Sequence, residues 1–334
     1  MRRVVVFMGG SRDVVAAMQH SLPSAVEALA RAGVLVPRSG RSGNKTIGFS
    51  HQPLGNLAAR GWTSAQAEVG ASPAETVLLV IPAMLRIGGS TSRRLEMLGQ
   101  LSTLGDEVVL VSVVGEQLTT INDFYLSRVA AWRMSRRLDV SAPRLLDNEA
   151  FVHEMLLRPW YEQSAARYVA VPLPVYTSGH PIATVLSAAG ARVDAELPRA
   201  VVPDLPKLGS VGVEANRLVA TYLRAEIPGF TYADEGVAAA SVSGLSRAQK
   251  LGWCDDQFWG WTPRSVEQAL ARYDASNHRF ASTVWGTDWT LPYPVDRPCT
   301  QADFLDLDFA VVDQVHRYVI GMAAKVARER KAAT

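Results

Sequence analysis

The chain has 334 residues, 48% of them hydrophobic, and its 34 basic and 32 acidic residues leave a formal net charge of +2. This length and apolar content favour a folded protein with a large buried core over a disordered chain. The small net charge excludes a general electrostatic attraction to nucleic acid or to an anionic membrane. A nucleic-acid partner is not expected either, since the sequence lacks a basic patch with interleaved aromatic residues.

Cys254 and Cys299 lack the spacing of a metal site and are too few for a disulfide framework, which favours a reducing, cytoplasmic location. A single bridge between them is left open. The six histidines also lack ligand spacing, so we predict no metal site. No apolar run reaches the roughly 20 residues of a membrane span, and none is predicted. The sequence leaves the oligomeric state open, a homo-oligomer included.

Short apolar runs bounded by turn residues predict strands that are buried on both faces. These runs are Val4–Met8, Val34–Val36, Val77–Ile81, Val108–Val114 and Tyr168–Val171. Helical patterns lie between them: Asp13–Ala32 with an interruption at Pro23, Ser92–Leu104, Gln117–Leu138, and Glu149–Ala165 with a kink near Pro159. Strands that alternate with helices predict an α/β fold with a P-loop-type, mostly parallel sheet flanked by helices.

Beyond Val171 the pattern changes, because prolines crowd residues 171–206 and only helical patterns follow. These patterns are Val213–Arg224, Ser265–Ser282 and Phe304–Arg330. We therefore expect residues 1–175 to form the α/β core and residues 176–334 to form a mainly helical C-terminal cap that packs on it, within one structural unit.

The segment "RVVVFMGGSRDVVAAMQ", residues 3–19, has the layout of a strand, a glycine turn and a helix. Ligands of parallel sheets bind beyond the carboxyl ends of the strands. The amides of Gly9, Gly10, Ser11 and Arg12, together with the positive helix end, could hold an anion there, and Arg12 would add a charge-assisted contact. The alternative is a plain capped turn, because Ser11 and Asp13 are both good helix caps and the Asp13 carboxylate would repel a phosphate.

A second glycine segment, "GVLVPRSGRSGNKT", invites comparison with a Walker-type phosphate loop. That motif requires a glycine directly before its lysine and a helix directly after its threonine. Here Asn44 precedes Lys45, and the non-helical "IGFSHQPL" follows Thr46. A flexible basic surface loop is the favoured interpretation.

Several further segments occur in the order and pattern of one known family. They are "FMGGSRDVVAAMQ", "ALARAGVLVPRSGR", "SHQPLGNLA", "VVLVSVVGEQLTTINDFYLSRV" and "RYDASNHRFASTVWG". In these segments the chain resembles the bacterial sulfotransferase-like family, whose opening loop grips the 5′-phosphosulfate end of 3′-phosphoadenosine 5′-phosphosulfate. The resemblance implies that this donor is bound by Gly9, Gly10, Ser11 and Arg12, with Arg12 in the place of the family's lysine.

The chain departs from that family in two segments, and in each of them it gains a carboxylate. Asp13-Val14-Val15-Ala16 stands where the family has Thr-Gly-Thr-Thr, and Gly115 and Glu116 replace an arginine pair. Carboxylates near a donor with several negative charges oppose its binding. We expect group transfer, nominally sulfuryl, to a hydroxyl or amine of a small metabolite or sugar. The alternatives are a catalytically silent binding or scaffold protein and a transferase that uses a different donor.

His51, in "SHQPL", is the candidate general base for the acceptor, since a histidine with an ordinary pKa titrates near neutrality. Arg12 is the other candidate catalytic residue. The alternative for His51 is a loop histidine that hydrogen-bonds the backbone.

The segment "LGWCDDQFWGWTP" is the candidate acceptor site. Trp253, Trp259 and Trp261 could stack on a sugar or another flat acceptor while the carboxylate of Asp255 accepts hydrogen bonds from hydroxyls. The alternative is that these tryptophans anchor the helical portion by packing.

Overall fold

The computed structural model describes residues 1–44, 48–56, 59–87, 89–202, 207–227, 230–231 and 235–333. The strands of this part are β1 Arg3–Gly9, β2 Val34–Leu35, β3 Ser42–Asn44, β4 Gly48–Ser50, β5 Thr76–Val80, β6 Glu107–Val114 and β7 Arg167–Pro172. The first helices are α1 Arg12–Arg31, α2 Gln52–Gly55, α3 Ala59–Gly70, α4 Met84–Ile87, α5 Thr91–Ser102, α6 Gln117–Ala130 and α7 Leu138–Leu146. The later ones are α8 His153–Tyr161, α9 Leu173–Thr177, α10 Pro181–Ala188, α11 Ser210–Glu226, α12 Glu235–Lys250, α13 Pro263–Trp285 and α14 Phe309–Ala333, with 3₁₀ turns at Glu149–Phe151 and Phe304–Asp306.

The chain divides into two compact units, each built from three separate segments. The first unit comprises Met1–Glu116, Glu149–Asp204 and Tyr273–Pro292. The second comprises Gln117–Asn148, Leu205–Arg272 and Tyr293–Thr334. Within the described part of the chain, no helix combines the length and the apolar character that a membrane crossing requires.

The first unit contains a five-stranded sheet in the order β2-β5-β1-β6-β7, and all of its strand pairs are parallel. A separate antiparallel ribbon joins β3 and β4. The predicted α/β class is confirmed, with a parallel sheet flanked by helices and a mainly helical C-terminal part. Each predicted strand lies within one or two residues of an observed one.

Both faces of this sheet are covered by apolar side chains. Alternate residues of β1, such as Val5 and Phe7, face one layer with Met18 and Leu22 of α1, and this layer also holds side chains of α10. Val4 and Val6 face the opposite layer, which includes side chains of α3 and α5. Burial on both sides explains why the strands read as uninterrupted apolar runs rather than as an alternating pattern.

Helix α1 runs through Pro23 without a break, so the predicted interruption there is wrong. Proline removes the bond that would reach the carbonyl of Gln19, at a cost of about 3 kcal/mol. Leu22 and Leu29 are fully buried on this helix, and each such side chain contributes about 2 kcal/mol. Gly48 of β4 packs directly on the backbone of Gln19, at the turn that proline weakens.

The second unit is helical, and α11 packs on both α6 and α14. Helix α6 ends at Ala130, eight residues before the predicted end at Leu138. It ends there because Trp132 adopts a left-handed backbone with φ of 54° while the amide of Arg133 donates to the carbonyl of Arg128.

Asn216 of α11 holds this unusual turn from inside the core. Its Oδ1 accepts hydrogen bonds from Trp132 Nε1 at 2.6 Å and from the Tyr318 hydroxyl at 3.0 Å, and its Nδ2 donates to the Gly212 carbonyl. The side chain is fully buried. One amide therefore satisfies donors from α14 and from the turn after α6.

We predict that Asn216→Ala lowers the free energy of unfolding by about 3 kcal/mol, because it leaves two buried donors without an acceptor. Urea unfolding followed by tryptophan fluorescence measures this change. The control is Asn56→Ala at an exposed position, where a change within about 0.5 kcal/mol is expected. Equal effects of the two substitutions would contradict the role given to Asn216.

Candidate functional site

The carboxyl ends of β1, β5 and β6 meet at one edge of the sheet in the first unit. The chain leaves β1 toward β2 on one side of the sheet, whereas β6 is followed in the sheet by β7 on the other side. A strand order that reverses in this way opens a crevice between neighbouring carboxyl ends, where α/β proteins bind ligands. The crevice between β1 and β6 is therefore the candidate ligand site of the first unit.

Two glycines shape the loop after β1. Gly9 has φ of +113°, a backbone conformation that side chains other than glycine rarely adopt. A Cβ atom on Gly10 would lie 2.8 Å from the carbonyl oxygen of Val113 in β6 and 3.0 Å from Val14 Cγ1. The loop thus lies directly against β6 because both residues lack side chains.

Helix α1 begins immediately after this loop. Ser11 is its N-cap residue, but the serine side chain makes no capping hydrogen bond. Arg12 is exposed at the first helical position, and Asp13 lies in the first turn. The predicted anion-binding residues are therefore contiguous at the positive end of a 20-residue helix.

His51 lies at the same edge but points into the protein. Its side chain is fully buried, its Nε2 donates to the Pro37 carbonyl at 2.8 Å, and its Nδ1 accepts from the Val80 amide at 3.1 Å. Burial lowers the pKa of His51 to about 4, so the imidazole is neutral at physiological pH. Both ring nitrogens are engaged by backbone groups.

This geometry does not support His51 as a general base. A base needs a free lone pair within reach of the acceptor proton, and the lone pair of Nδ1 is already used by Val80. The residue instead joins the segment after β4 to β5 and to the loop at Pro37. These contacts are the ones expected from the alternative interpretation of His51, a loop histidine that hydrogen-bonds the backbone.

His153 is a residue of this edge that the sequence did not single out. It is the first residue of α8, it is nine-tenths buried, and its Nε2 donates to the carbonyl of Gly115 at 2.8 Å. Burial lowers the pKa of His153 to about 4 as well. No local pattern marks it, because its partner lies 38 residues away in sequence.

The tryptophan segment belongs to the second unit, and its rings are buried. Trp253 meets Tyr318 edge to face at 5.2 Å, Trp261 Nε1 donates to the Leu118 carbonyl, and the Arg297 guanidinium lies 4.6 Å from the centre of the Trp259 ring. The exposed fractions are 6% for Trp253, 0% for Trp259 and 1% for Trp261, so none of the three rings offers a free face for stacking. Asp255 is exposed. The contacts of this segment are those of core packing.

The second glycine segment forms part of the ribbon of β3 and β4, and its Lys45 and Thr46 lie outside the described residues. Cys254 and Cys299 are both free thiols. Within the described residues, no group of three or more histidine, cysteine, aspartate or glutamate side chains could hold a metal ion.

Comparison of the chain with protein-family models, with curated proteins and with solved structures found no match.

We predict that the free energy of unfolding falls as the pH is lowered from 6.5 to 4. The pKa of His51 is about 4 in the folded state and near 6.5 in the unfolded state, so unfolding takes up a proton over this range. Between pH 7 and pH 5 this histidine should account for about 2 kcal/mol.

Chemical denaturation of the wild type and of His51→Gln at both pH values measures the effect. The variant should lose that part of the pH dependence, whereas His316→Gln at an exposed position should keep it. An unchanged pH dependence in His51→Gln would show that the ring is not held neutral.

Proposed function

We propose that the protein is a sulfotransferase-like transferase that binds the anionic end of its donor at the loop Gly9–Arg12. The reaction would move a sulfuryl group to a hydroxyl or amine of a small metabolite or sugar. The donor class is the one implied by the resemblance, 3′-phosphoadenosine 5′-phosphosulfate. The residues named for the loop are Gly9, Gly10, Ser11 and Arg12.

The observation that carries the proposal is the position of the loop. It follows the central strand β1, lies against β6 at the reversal of strand order, and opens a helix whose N-cap side chain makes no capping hydrogen bond. Unsatisfied amides and the helix dipole attract phosphate and sulfate at such a position. Arg12, exposed at the start of α1, would supply the cation.

A second candidate is a catalytically silent relative that keeps the fold and binds a ligand or a protein. The burial of His51 and of the three tryptophans favours it, because the residues first expected to act on the acceptor are occupied in packing. Asp13 in the first turn of α1 points the same way, since its carboxylate opposes an anionic ligand.

We predict that the full-length chain binds 3′-phosphoadenosine 5′-phosphate with micromolar affinity in a calorimetric titration. Arg12→Ala should weaken this binding at least about tenfold, because a charge-assisted hydrogen bond is lost. The matched control is Arg31→Ala, an exposed arginine at the other end of the same helix, where no change is expected. No heat of binding to the wild type would rule out this donor.

We further predict that Gly10→Ala weakens the same binding at least tenfold. The new methyl group would overlap the Val113 carbonyl and force the loop away from β6. The control is Gly70→Ala, where a Cβ atom meets no atom within 4 Å. Tight binding to Gly10→Ala would place the anion elsewhere on the chain.

A further inference from the structure

His153 lies at the carboxyl end of β6, at the edge that carries the loop Gly9–Arg12. Its Nε2 is 2.8 Å from the carbonyl oxygen of Gly115, two residues beyond Val113. The carbonyl of Val113 is the group against which Gly10 packs. Two residues of extended chain span roughly 7 Å. The carbonyl bonded by His153 and the carbonyl that Gly10 packs against are therefore about that far apart at the carboxyl end of β6.

The hydrogen bond determines which ring nitrogen of His153 carries the proton. A carbonyl oxygen only accepts, so Nε2 is protonated and the neutral ring keeps its lone pair on Nδ1. Nδ1 makes no hydrogen bond to any residue that the structure describes. Because burial keeps the ring neutral at physiological pH, that lone pair is available, in contrast to the lone pair of His51.

An aromatic wall formed by Trp285 and Trp289, with Phe280 beside it, lies against this imidazole. Trp289 lies 5.7 Å and Phe280 5.8 Å from the His153 ring, between ring centres. Trp289 stacks on Trp285 at 5.5 Å, and Trp285 is held to the sheet by its Nε1, which donates to the Ala170 carbonyl in β7. The wall is therefore fixed to β7, the neighbour of β6 in the sheet.

The wall contains an unsatisfied donor. Trp289 Nε1 is buried and has no hydrogen-bond partner among the described residues. The N–H of Trp289 and the lone pair of His153 belong to rings whose centres are 5.7 Å apart. Together they complement one hydroxyl group, which both donates and accepts. An amine nitrogen that attacks has a single lone pair to share and matches this pair of groups less well.

We propose that His153 is the general base for a hydroxyl acceptor, and that Trp285 and Trp289 form the wall against which the flat apolar face of that acceptor packs. This inference rests on the proposed function. The acceptor oxygen forms a bond to sulfur as its proton passes to Nδ1 of His153. The bond between sulfur and the donor phosphate breaks, and its electron pair leaves with 3′-phosphoadenosine 5′-phosphate. The imidazolium then returns its proton to water.

The first test uses the wild-type chain and needs no variant to fold. Long-range ¹H–¹⁵N spectra of the imidazoles at pH 7 should show His153 protonated at Nε2. Adding 3′-phosphoadenosine 5′-phosphate should shift its Nδ1 resonance. His51, which has the same tautomer but no free nitrogen, should not move. Heat of binding without a shift at His153 would overturn the inference and leave the donor site in place.

The second test separates catalysis from binding. His153→Gln can still donate to the Gly115 carbonyl, so its Kd for 3′-phosphoadenosine 5′-phosphate should stay within about twofold of the wild type. Its transfer of sulfate from 3′-phosphoadenosine 5′-phosphosulfate to water or to added glycerol should be about 100-fold slower. His278→Gln, at an exposed position of the same unit, is the control and should transfer at the wild-type rate.

The outcomes distinguish the two proposals. Wild-type transfer by His153→Gln would overturn the base assignment alone. A wild type that binds the nucleotide but transfers nothing would also overturn it and would favour the silent relative. A wild type that binds no nucleotide would remove the proposed function and this inference with it.

Discussion

The burial of β1 on both faces is the constraint on which the rest of the first unit depends. Val4 to Met8 are all 0% exposed, so helices must cover each side of the strand. Parallel neighbours follow, because helical crossovers return the chain to the same end of the sheet. The loops that follow the strands then all begin at the carboxyl edge of the sheet, where α/β proteins bind their ligands. The loop Gly9–Arg12, His51 and His153 share that edge for this reason.

The sequence was informative wherever local burial decided the structure. Each strand of the sheet was predicted nearly to its ends, since a strand buried on both faces leaves a continuous apolar run. The end of α6 was not predictable, because the left-handed Trp132 is stabilised by Asn216, 84 residues away. The continuity of α1 through Pro23 also depends on packing that only the folded chain shows.

The two histidines show why a site is harder to predict than a fold. Both are buried, both are neutral, and both donate through Nε2 to a carbonyl. What separates them is the second nitrogen: the amide of Val80 reaches Nδ1 of His51, and no described residue reaches that of His153. Residue type and loop context favoured His51, whereas the availability of the lone pair depends on contacts far apart in sequence.

The interleaving of the two units bears on how the chain folds during synthesis. The first unit takes its last segment from Tyr273–Pro292, after most of the second unit has been made. The indole of Trp285, which pairs with β7, therefore joins the sheet more than 100 residues after that strand is synthesised. Contacts this distant in sequence slow folding. Until the last segment is made, apolar surface of the incomplete first unit stays exposed. Neither unit can be excised as one continuous fragment, and a chain truncated before Trp285 would lack the indole that bonds to β7.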